Sequence, residues 1–491
     1  MTQSTVEDFL RAHDPMYGNR APSTRYAREL PDGFKVAVAV AAQNSTPVHA
    51  DFWACLLTVI KHRKAELFVI PTRYKNPTSQ WTGSQQNAEH YDKAVVPYLW
   101  NQRYALNKNL LLLADVPTQP TAAQPLSSLD SMSHEQSGIV GHAKLQYRTV
   151  PTSGRMPKIL TTTGICTVPN YTESRTGKIG EFHHSLSAVI VELDGGTFHL
   201  RQLHYSRSLN AVTDGLRGIM YLPNGKTKKA PRPRLLGQGD THVDFVDPQV
   251  DDATFRKDGL VQTLNPEIVL WADLLDADSI KHHDDKDQVL RMAKEKAGRR
   301  NIEEEVIRSI AHVRKRTFPG IQNVIQASNH NDMLRRWVLD GIQNGFRDPL
   351  NAPFGLRVGA YLANNCHFRE LGAGYPDPFK WLFEQANVPQ SRVLELDEVF
   401  MVGSIRNDMH GNYGPNGSRG SRKNLARTGT KSNIFHSHSP GIEEGCTQAG
   451  TSTARRANYT HGPSSWMQTH ILQQHDDKRQ LINLIDGKFT I

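Results

Sequence analysis

The sequence predicts an α/β protein in two parts, and three observations support this prediction. Short, nearly continuous apolar runs alternate with stretches that have the apolar spacing of a helix. Such runs are typical of strands in a sheet that is covered on both faces. A basic segment broken by Gly225, Pro231 and Pro233 divides the chain near its middle. We therefore expect an N-terminal α/β domain over residues 1–225 and a C-terminal α/β domain over residues 235–491.

The first part opens with a strand–helix–strand pattern. Its apolar periodicity predicts strands at 36–42 and 67–70 with a helix at 49–62 between them. The segment 118–135, rich in Pro, Ser, Thr and Gln, predicts a long surface loop. The remaining strands are expected at 110–113, 159–162, 187–192 and 198–205, the last of which would close the sheet.

The second part combines short strands with a thick helical layer. Helices are expected at 287–299, 302–316, 333–342, 358–371 and 378–386, and a terminal hairpin at 466–473 and 480–485. The basic segment 224–234 is interpreted as a semi-rigid linker that leads into this part. No fixed-period repeat is evident in the sequence.

Composition and charge narrow the class of protein. The chain has 491 residues, of which 38% are hydrophobic, and a formal net charge of +9. This length accommodates two or three domains, and the positive excess favours a polyanionic partner. No uncharged apolar stretch approaches the roughly 20 residues that cross a bilayer, and the first residues lack a signal-peptide pattern. The four cysteines are scattered and are expected to be reduced thiols in a cytoplasm.

Five apolar runs end in residues that bind metals. A two-metal site is built from such residues at the carboxyl ends of neighbouring strands. No phosphate-binding loop of the Gly-x-x-x-x-Gly-Lys-Ser/Thr type occurs, so an ATPase is not expected. The sequence therefore predicts a metal centre in the second part, with candidates Asp240, His242, Asp273, Asp276, Asn329, His330, His410, His436 and His438.

In this order, Asp-x-His, Asp-x-x-Asp, Asn-His, His and His-x-His resemble the five motifs of the calcineurin-like metallophosphoesterases. The resemblance covers roughly residues 235–490 and implies an α/β/β/α sandwich with the metals at the strand ends. It implies that one ion binds Asp240, His242 and His438, the other binds Asn329, His410 and His436, and Asp273 bridges both. His330 matches the catalytic histidine and Asp276 the acid that orients it.

The motifs depart from the family pattern at positions next to the ligands. Glycines usual in the family are replaced by Ala272, Ser328 and Phe435, and the acid expected after the catalytic histidine is Asn331. Ala277 stands where the protein-phosphatase branch has an arginine. The Ala-Asp-Leu-Leu-Asp stretch at 272–276 is most similar to the nuclease branch that includes SbcD.

The predicted activity is a manganese-dependent deoxyribonuclease that hydrolyses phosphodiester bonds. The loop between His410 and His436 is rich in Gly and Ser, and its cations are expected to bind the DNA backbone. We expected these cations to have no internal partner: Arg419, Arg422, Lys423, Arg427 and Lys431. The stretches His461–Trp466 and Arg479–Gly487 are similar to the ends of the early host-DNA-degrading nucleases of tailed phages, which the whole chain resembles. This resemblance implies action in the host cytoplasm, a homo-oligomer, and a first part that serves assembly or substrate handling.

Two other functions remain open from the sequence. A phosphodiesterase or phosphatase for small substrates would use the same metal ligands but would not need the basic loop. A DNA-binding or structural protein with a relic metal site would keep the charge without catalysis. Retention of every expected ligand argues against the second alternative.

Overall fold

The computed structural model describes residues 25–154, 156–281, 287–369, 372–455 and 461–490. Within these ranges the α/β class is confirmed. The strands are β1 Val36–Gln43, β2 Glu66–Thr72, β3 Arg103–Asn107, β4 Leu110–Leu113, β5 Ser137–Val140, β6 Tyr147–Val150, β7 Lys158–Thr162, β8 Ser187–Asp194, β9 Thr197–Ser206, β10 Ala211–Asp214, β11 Ile219–Tyr221, β12 Thr227–Lys229, β13 Leu235–Gly237, β14 Ile268–Trp271, β15 Gln322–Ile325, β16 His367–Arg369, β17 Gly372–Gly374, β18 Ser391–Val393, β19 Met401–Val402, β20 Ile405–Arg406, β21 Ser432–Ile434, β22 Gly441–Glu443, β23 Cys446–Gln448, β24 Thr469–Gln473 and β25 Arg479–Asn483.

The helices alternate with these strands. They are α1 Ala50–Arg63, α2 Thr82–Gln85, α3 Arg175–Phe182, α4 Pro248–Phe255, α5 Leu260–Leu264, α6 Gln288–Lys296, α7 Ile302–Lys315, α8 Asn331–Asn344, α9 Ala352–Asn364, α10 Pro378–Gln385 and α11 Arg422–Ala426. The helix predicted at 358–371 is wrong at both ends, because α9 begins at Ala352 and the chain turns into β16 at His367. Pro353 in the first turn of α9 fits this earlier start.

A seven-stranded sheet has the order β12-β11-β10-β9-β8-β1-β2. Its β1 and β2 are parallel and joined by α1, which begins at the cap residue His49 and ends at Lys64 in a left-handed conformation. The prediction that 198–205 closes this sheet is wrong, since three further antiparallel strands follow β9. The last of them, β12, lies within the predicted linker, so this basic segment forms a sheet edge.

A six-stranded sheet has the order β18-β15-β14-β13-β24-β25 and carries four parallel strands. Leu235 and Leu270 face a core shared with the other sheets, whereas Leu236 and Val269 face the helical layer. Both faces are therefore covered, which explains the nearly continuous apolar runs. The carboxyl ends of β13, β14 and β15 meet along one edge of the sheet.

The third large sheet takes strands from both parts of the chain. Its order is β19-β20-β21-β23-β22-β6-β7-β5-β4-β3, and β22 pairs with β6 in antiparallel orientation. One hydrophobic cluster includes Phe68 from the first part and Leu235 and Phe435 from the second. The two predicted domains thus share a sheet and a core, and their division at 225/235 stays a prediction.

Two smaller expectations concern cysteines and membrane spans. All four cysteines are free, and Cys55, Cys166 and Cys446 are buried. In the described ranges, every helix is too short or too polar to span a bilayer.

Candidate metal centre

The candidate ligands converge where the six-stranded and ten-stranded sheets meet. Asp240 follows β13, Asp273 follows β14 and Asn329 follows β15, so these three lie at the carboxyl edge of one sheet. Three of the histidines come from the other sheet, His410 after β20, and His436 and His438 after β21. The Phe435 amide donates to the His410 carbonyl (2.7 Å), which ties the two histidine segments together.

The first group of donor atoms surrounds His242 and His438. Their Nε2 atoms lie 3.2 Å apart, and His438 Nε2 lies 3.2 Å from Asp240 Oδ2. His242 Nε2 is 3.6 Å from Asp273 Oδ2. Two donor atoms that each lie about 2.1 Å from one ion are roughly 3.0–3.4 Å apart. The spacing of this group therefore suits a single divalent cation.

The second group consists of Asp273, His410 and His436. His410 Nε2 approaches Asp273 Oδ2 to 3.0 Å, and the rings of His410 and His436 pack edge to face with centroids 5.2 Å apart. Asp273 is a member of both groups. A carboxylate placed in this way can hold two ions at once.

Unpaired buried oxygens are the strongest local sign that these residues suit cation binding. Asp240 Oδ1, Asp273 Oδ1 and Asn329 Oδ1 are buried, and none has a hydrogen-bond partner. Leaving carboxylate oxygens buried without a partner costs several kcal/mol. A divalent cation would remove this cost, so the donor set fits a metal centre.

Contacts at Nδ1 orient two of the histidine rings toward the centre, an ion pair at His242 and a hydrogen bond at His410. His242 Nδ1 lies 2.9 Å from Asp276 Oδ1, and His410 Nδ1 lies 3.3 Å from Gln326 Oε1. The Gln326 amide nitrogen donates to the Asn407 carbonyl (2.9 Å), which leaves Oε1 as the acceptor facing His410. In both rings Nδ1 then carries the proton and Nε2 presents a lone pair to the ion, the usual arrangement for histidine ligands.

Asp276 lies beside His330, as the sequence predicts, but it contacts this ring mainly through its backbone. His330 Nδ1 is 2.9 Å from the Asp276 carbonyl oxygen and 3.6 Å from Oδ1. The Asp276 carboxylate instead faces His242 and Lys281, whose Nζ is 2.5 Å from Oδ2. The contacts of Lys281 and Gln326 with the candidate ligands could not be predicted from the sequence, because neither residue lies in a recognisable motif.

The pKa is raised for two of the site histidines and lowered for two others. Burial opposes charge on His242, but the Asp276 hydrogen bond and the surrounding carboxylates outweigh it and raise its pKa to about 9. The pKa of His410 is also raised, because the field of Asp273 outweighs burial. Burial lowers the pKa of His330, and burial with the neighbouring His410 lowers that of His436 to about 4.

Several site residues adopt a left-handed backbone conformation that residues other than glycine rarely take. The φ angles are 42° at His242, 42° at Asp273, 72° at His436 and 58° at His438. Such strain costs of order 1–3 kcal/mol per residue and is concentrated at functional sites. Backbone bonds hold the first two in place, since the His242 amide donates to the Asp273 carbonyl (2.7 Å).

The departures from the family motifs are accommodated. Asn331 is buried, accepts from the Leu275 amide (3.2 Å) and donates to the Gln326 carbonyl (3.3 Å). A carboxylate could not make this donor contact, so asparagine suits the position. Phe435, in place of a glycine, fills the core between the sheets.

The basic loop contains four exposed cations and one half-buried cation. Arg419, Lys423, Arg427 and Lys431 are exposed. The expectation that all five lack an internal partner is wrong for Arg422, which donates to the Ser439 carbonyl (3.0 Å) and to Gln448 Oε1 (2.7 Å). Gln448 Nε2 in turn donates to the Phe435 carbonyl, so Arg422 supports the His436–His438 segment.

Comparison with known proteins gives one relative. The chain is 29% identical over 464 residues to Protein A1 of Escherichia phage T5, which covers 92% of this chain and 82% of that protein. No family model and no solved structure matches the chain. The chain is therefore similar to a phage protein over most of its length.

Proton release on metal binding tests the assignment of the histidine nitrogens. A ligand histidine must be neutral, whereas the pKa values of His242 and His410 are raised in the metal-free site. We expect Mn²⁺ affinity to fall as pH drops below about 9, roughly tenfold per unit for each proton released. Calorimetry at pH 7 in buffers with different ionisation heats should give about one to two protons released, whereas none would contradict this assignment.

Proposed function

We propose that the protein is a two-metal, manganese-dependent deoxyribonuclease and that its C-terminal half is a metallophosphoesterase domain. The observation that carries the proposal is the buried Asp273 carboxylate shared by two groups of donor atoms. One ion would bind Asp240, His242 and His438, and the other Asn329, His410 and His436. The unpaired oxygens of Asp240, Asp273 and Asn329 support this distribution.

The chemistry follows from these side chains. Divalent ions held by these ligands would supply charge that neutralises phosphate and lowers the pKa of the attacking water. The carbonyl oxygen of Asp276 can only accept a hydrogen bond, so His330 Nδ1 carries a proton and Nε2 is left for the substrate. When Nε2 carries a proton, His330 is placed to donate it to the leaving oxygen as a general acid.

Asp276 is a positioning residue in this scheme. Its carboxylate holds His242 and its carbonyl holds His330, so one residue orients a metal ligand and the proton donor. His242, and after it Lys281, outweigh burial and keep the pKa of the Asp276 carboxyl low. This differs from the role that the sequence resemblance implies, in which Asp276 orients only His330.

DNA is the substrate that best fits the charge on the protein. The net charge is +9, and the four exposed loop cations follow His410 and precede His436 along the chain. Cations that contact phosphates provide affinity that does not depend on sequence. Similarity to a phage protein supports a place of action inside an infected cell.

The basic loop gives a test of DNA binding. Replacing Arg419, Lys423, Arg427 and Lys431 with Ser should lower DNA affinity and reduce the salt slope by about 0.9 for each lost phosphate contact on duplex DNA. Metal binding and cleavage of a small phosphodiester should be nearly unchanged, because these side chains are exposed and lie outside the ligand groups.

Arg422→Ser is the comparison variant, because it removes one positive charge of the same loop from a half-buried position. We expect it to disturb the His436–His438 segment and therefore metal binding, through Gln448. An unchanged salt slope in the fourfold variant would show that the loop does not contact DNA.

One assay panel separates this function from the alternatives. Linear, circular and single-stranded DNA should be compared with a small phosphodiester in Mn²⁺, Mg²⁺ and EDTA. Preference for DNA with Mn²⁺ supports the nuclease. Preference for the small substrate would favour a small-molecule phosphodiesterase, and DNA binding without hydrolysis would favour a relic site.

A further inference from the structure

The ten-stranded sheet has the same strand arrangement when read from either end. Reading inward, β3-β4-β5-β7-β6 matches β19-β20-β21-β23-β22. In the first half, β3–β4 is antiparallel, β4–β5 and β5–β7 are parallel, and β7–β6 is antiparallel. In the second half, β19–β20 is antiparallel, β20–β21 and β21–β23 are parallel, and β23–β22 is antiparallel.

The other two large sheets contain the same correspondence. In the first half β1 is parallel to β2 and antiparallel to β8, which pairs with β9. In the second half β13 is parallel to β14 and antiparallel to β24, which pairs with β25. Three isolated β-bridges in each half also match, pair by pair and with the same orientations. The parallel bridge Ala41–Ile165 corresponds to Asp240–Thr451, and the parallel bridge Ile165–Leu186 corresponds to Thr451–Gln468. The antiparallel bridge Val48–Thr167 corresponds to Val246–Thr453.

The two halves are joined as in a twofold dimer. Tyr147 is paired with Thr161, and Ile442, at the matching place, with Thr447. Tyr147 and Ile442 are also opposite one another where β6 meets β22. Equivalent residues that face each other mark the axis of an isologous contact, and here that contact lies within one chain.

The register locates the counterparts of the metal ligands. Val140 pairs with Thr162 at the end of β5, and Ile434 pairs with Gln448 at the end of β21, so Val140 and Ile434 are equivalent positions. Counting two and four residues onward, His142 is the counterpart of His436 and Lys144 is the counterpart of His438. The matched bridges place Ala41 and Gln43 at Asp240 and His242. The Trp100 backbone amide donates to the Val69 carbonyl, and the Gln326 backbone amide donates to the Trp271 carbonyl. Val69 is therefore equivalent to Trp271, and Pro71, two residues later, is the counterpart of Asp273.

The counterpart site has no carboxylate at these positions and is closed by its own hydrogen bonds. His142 Nε2 faces the Gln119 carbonyl (3.0 Å), and its Nδ1 accepts from the Lys144 amide (2.9 Å). The Lys144 ammonium donates to the Ala123 carbonyl (2.7 Å) and pairs with Glu444 (2.9 Å). Alanine, proline and a paired lysine cannot replace the ligands, so this set does not fit two cations.

We propose that residues 36–206 are a metal-free copy of the fold that carries the metal centre, and that the β6–β7 hairpin of this copy positions the segment 464–467, which packs on the candidate ligand His438. The catalytic part of this inference rests on the proposed function. The duplicated topology does not. The sequence shows no repeat, because the same fold is built here from different residues.

The hairpin reaches the centre through one short segment. The Thr152 amide donates to the Ser464 carbonyl (3.1 Å), and the Ser464 amide donates back to the Thr152 carbonyl (3.0 Å). Two residues further on, the Trp466 ring packs edge to face on His438 with centroids 4.2 Å apart. The Met467 amide donates to the His438 carbonyl (3.1 Å), so the segment held by Thr152 contacts both the ring and the backbone of a candidate ligand.

The matching hairpin of the second half makes the reciprocal contact. The turn after β22 carries Glu444, which pairs with Lys144 in the metal-free site. Each half therefore extends its central hairpin to the site of the other. Only one of these sites contains the donor atoms for metal, so disruption of the two hairpins should have unequal effects.

Metal stoichiometry tests whether the copy is metal-free. The full-length chain and an Asp240→Asn/Asp273→Asn variant would be equilibrated with Mn²⁺, and the bound metal measured by mass spectrometry. We expect about two ions per chain in the native protein and none bound tightly in the variant. Tight Mn²⁺ binding that survives in the variant would overturn the assignment of the copy.

Hairpin substitutions test the positioning role. Thr152→Pro removes the amide that bonds to Ser464, whereas Thr152→Val keeps it. We expect Thr152→Pro to weaken Mn²⁺ affinity by about 10–100-fold, the range for loss of a group that supports a metal ligand. Thr152→Val and Glu444→Gln should leave Mn²⁺ affinity unchanged.

Thermal unfolding would be measured for each variant. If Thr152→Pro fails to fold, Trp466→Ala should show the loss of affinity and Trp466→Phe should restore it. Native Mn²⁺ affinity in Thr152→Pro or Trp466→Ala, or an equal loss in Glu444→Gln, would overturn the positioning role. Because metal affinity is measured directly, a protein that binds Mn²⁺ without cutting DNA would contradict only the proposed function.

Discussion

Replacing Asp273 with Asn is expected to abolish DNA hydrolysis and to remove both metal ions. This carboxylate lies in both groups of donor atoms and is 1% exposed, so no other side chain or solvent can substitute for it. The change removes one negative charge that both cations share. Bound Mn²⁺ measured by mass spectrometry and the rate of DNA cleavage should fall together.

Asp278→Asn is a suitable control for this variant. Asp278 is also buried and lies in the same loop, but it is outside the ligand groups. Its carboxylate pairs with Lys294 and Arg299 and more distantly, at 3.5 Å, with Lys281. We expect it to lower the free energy of unfolding while both ions stay bound. Full activity in Asp273→Asn would contradict the assignment of Asp273 as the shared ligand.

Replacing His330 with Ala is expected to slow the chemical step while leaving both ions and DNA binding in place. His330 Nδ1 is satisfied by the Asp276 carbonyl, and its other nitrogen is the one available to the substrate. Loss of general acid–base catalysis costs typically 10²–10⁴-fold in rate. Single-turnover cleavage with the metal content measured in parallel would show this, and loss of one metal equivalent would show that His330 is a ligand.

Asp276→Asn provides an informative comparison with His330→Ala. Because the Asp276 carboxylate bonds to His242, this variant should weaken Mn²⁺ binding as well as the rate. If Asp276 acted on His330 alone, Mn²⁺ affinity would be native.

The order of the motifs allowed the clustering of the candidate ligands to be predicted from sequence. Strands such as β13 and β14 are recognisable because they are buried on both faces, and parallel strands bring their carboxyl ends to one edge. Asp240 and Asp273 could therefore be placed together before their distances were known. The same reasoning holds for His410 and His436, although they come from another sheet.

Contacts between residues distant in sequence could not be predicted. Arg422 has no acidic neighbour in sequence, so its burial against Ser439 and Gln448 depends on the folded loop. The pairing of β6 with β22 joins segments almost 300 residues apart, and short strands carry little signal of their partner. The duplicated topology is visible only in the pairing of strands and bridges. Ala41 is bridged to Ile165 in one half and Asp240 to Thr451 in the other, and the equivalent residues are of different types.

Titration of the metal-free protein with Mn²⁺ tests the central claim most directly. Chelator-treated protein would receive increasing Mn²⁺ while bound metal and the initial rate of DNA cleavage are measured in the same samples. Because Asp273 belongs to two groups of donor atoms, the rate should be negligible without metal and should reach its plateau at two bound ions per chain. A plateau at one ion, or cleavage that persists without metal, would contradict a two-metal nuclease.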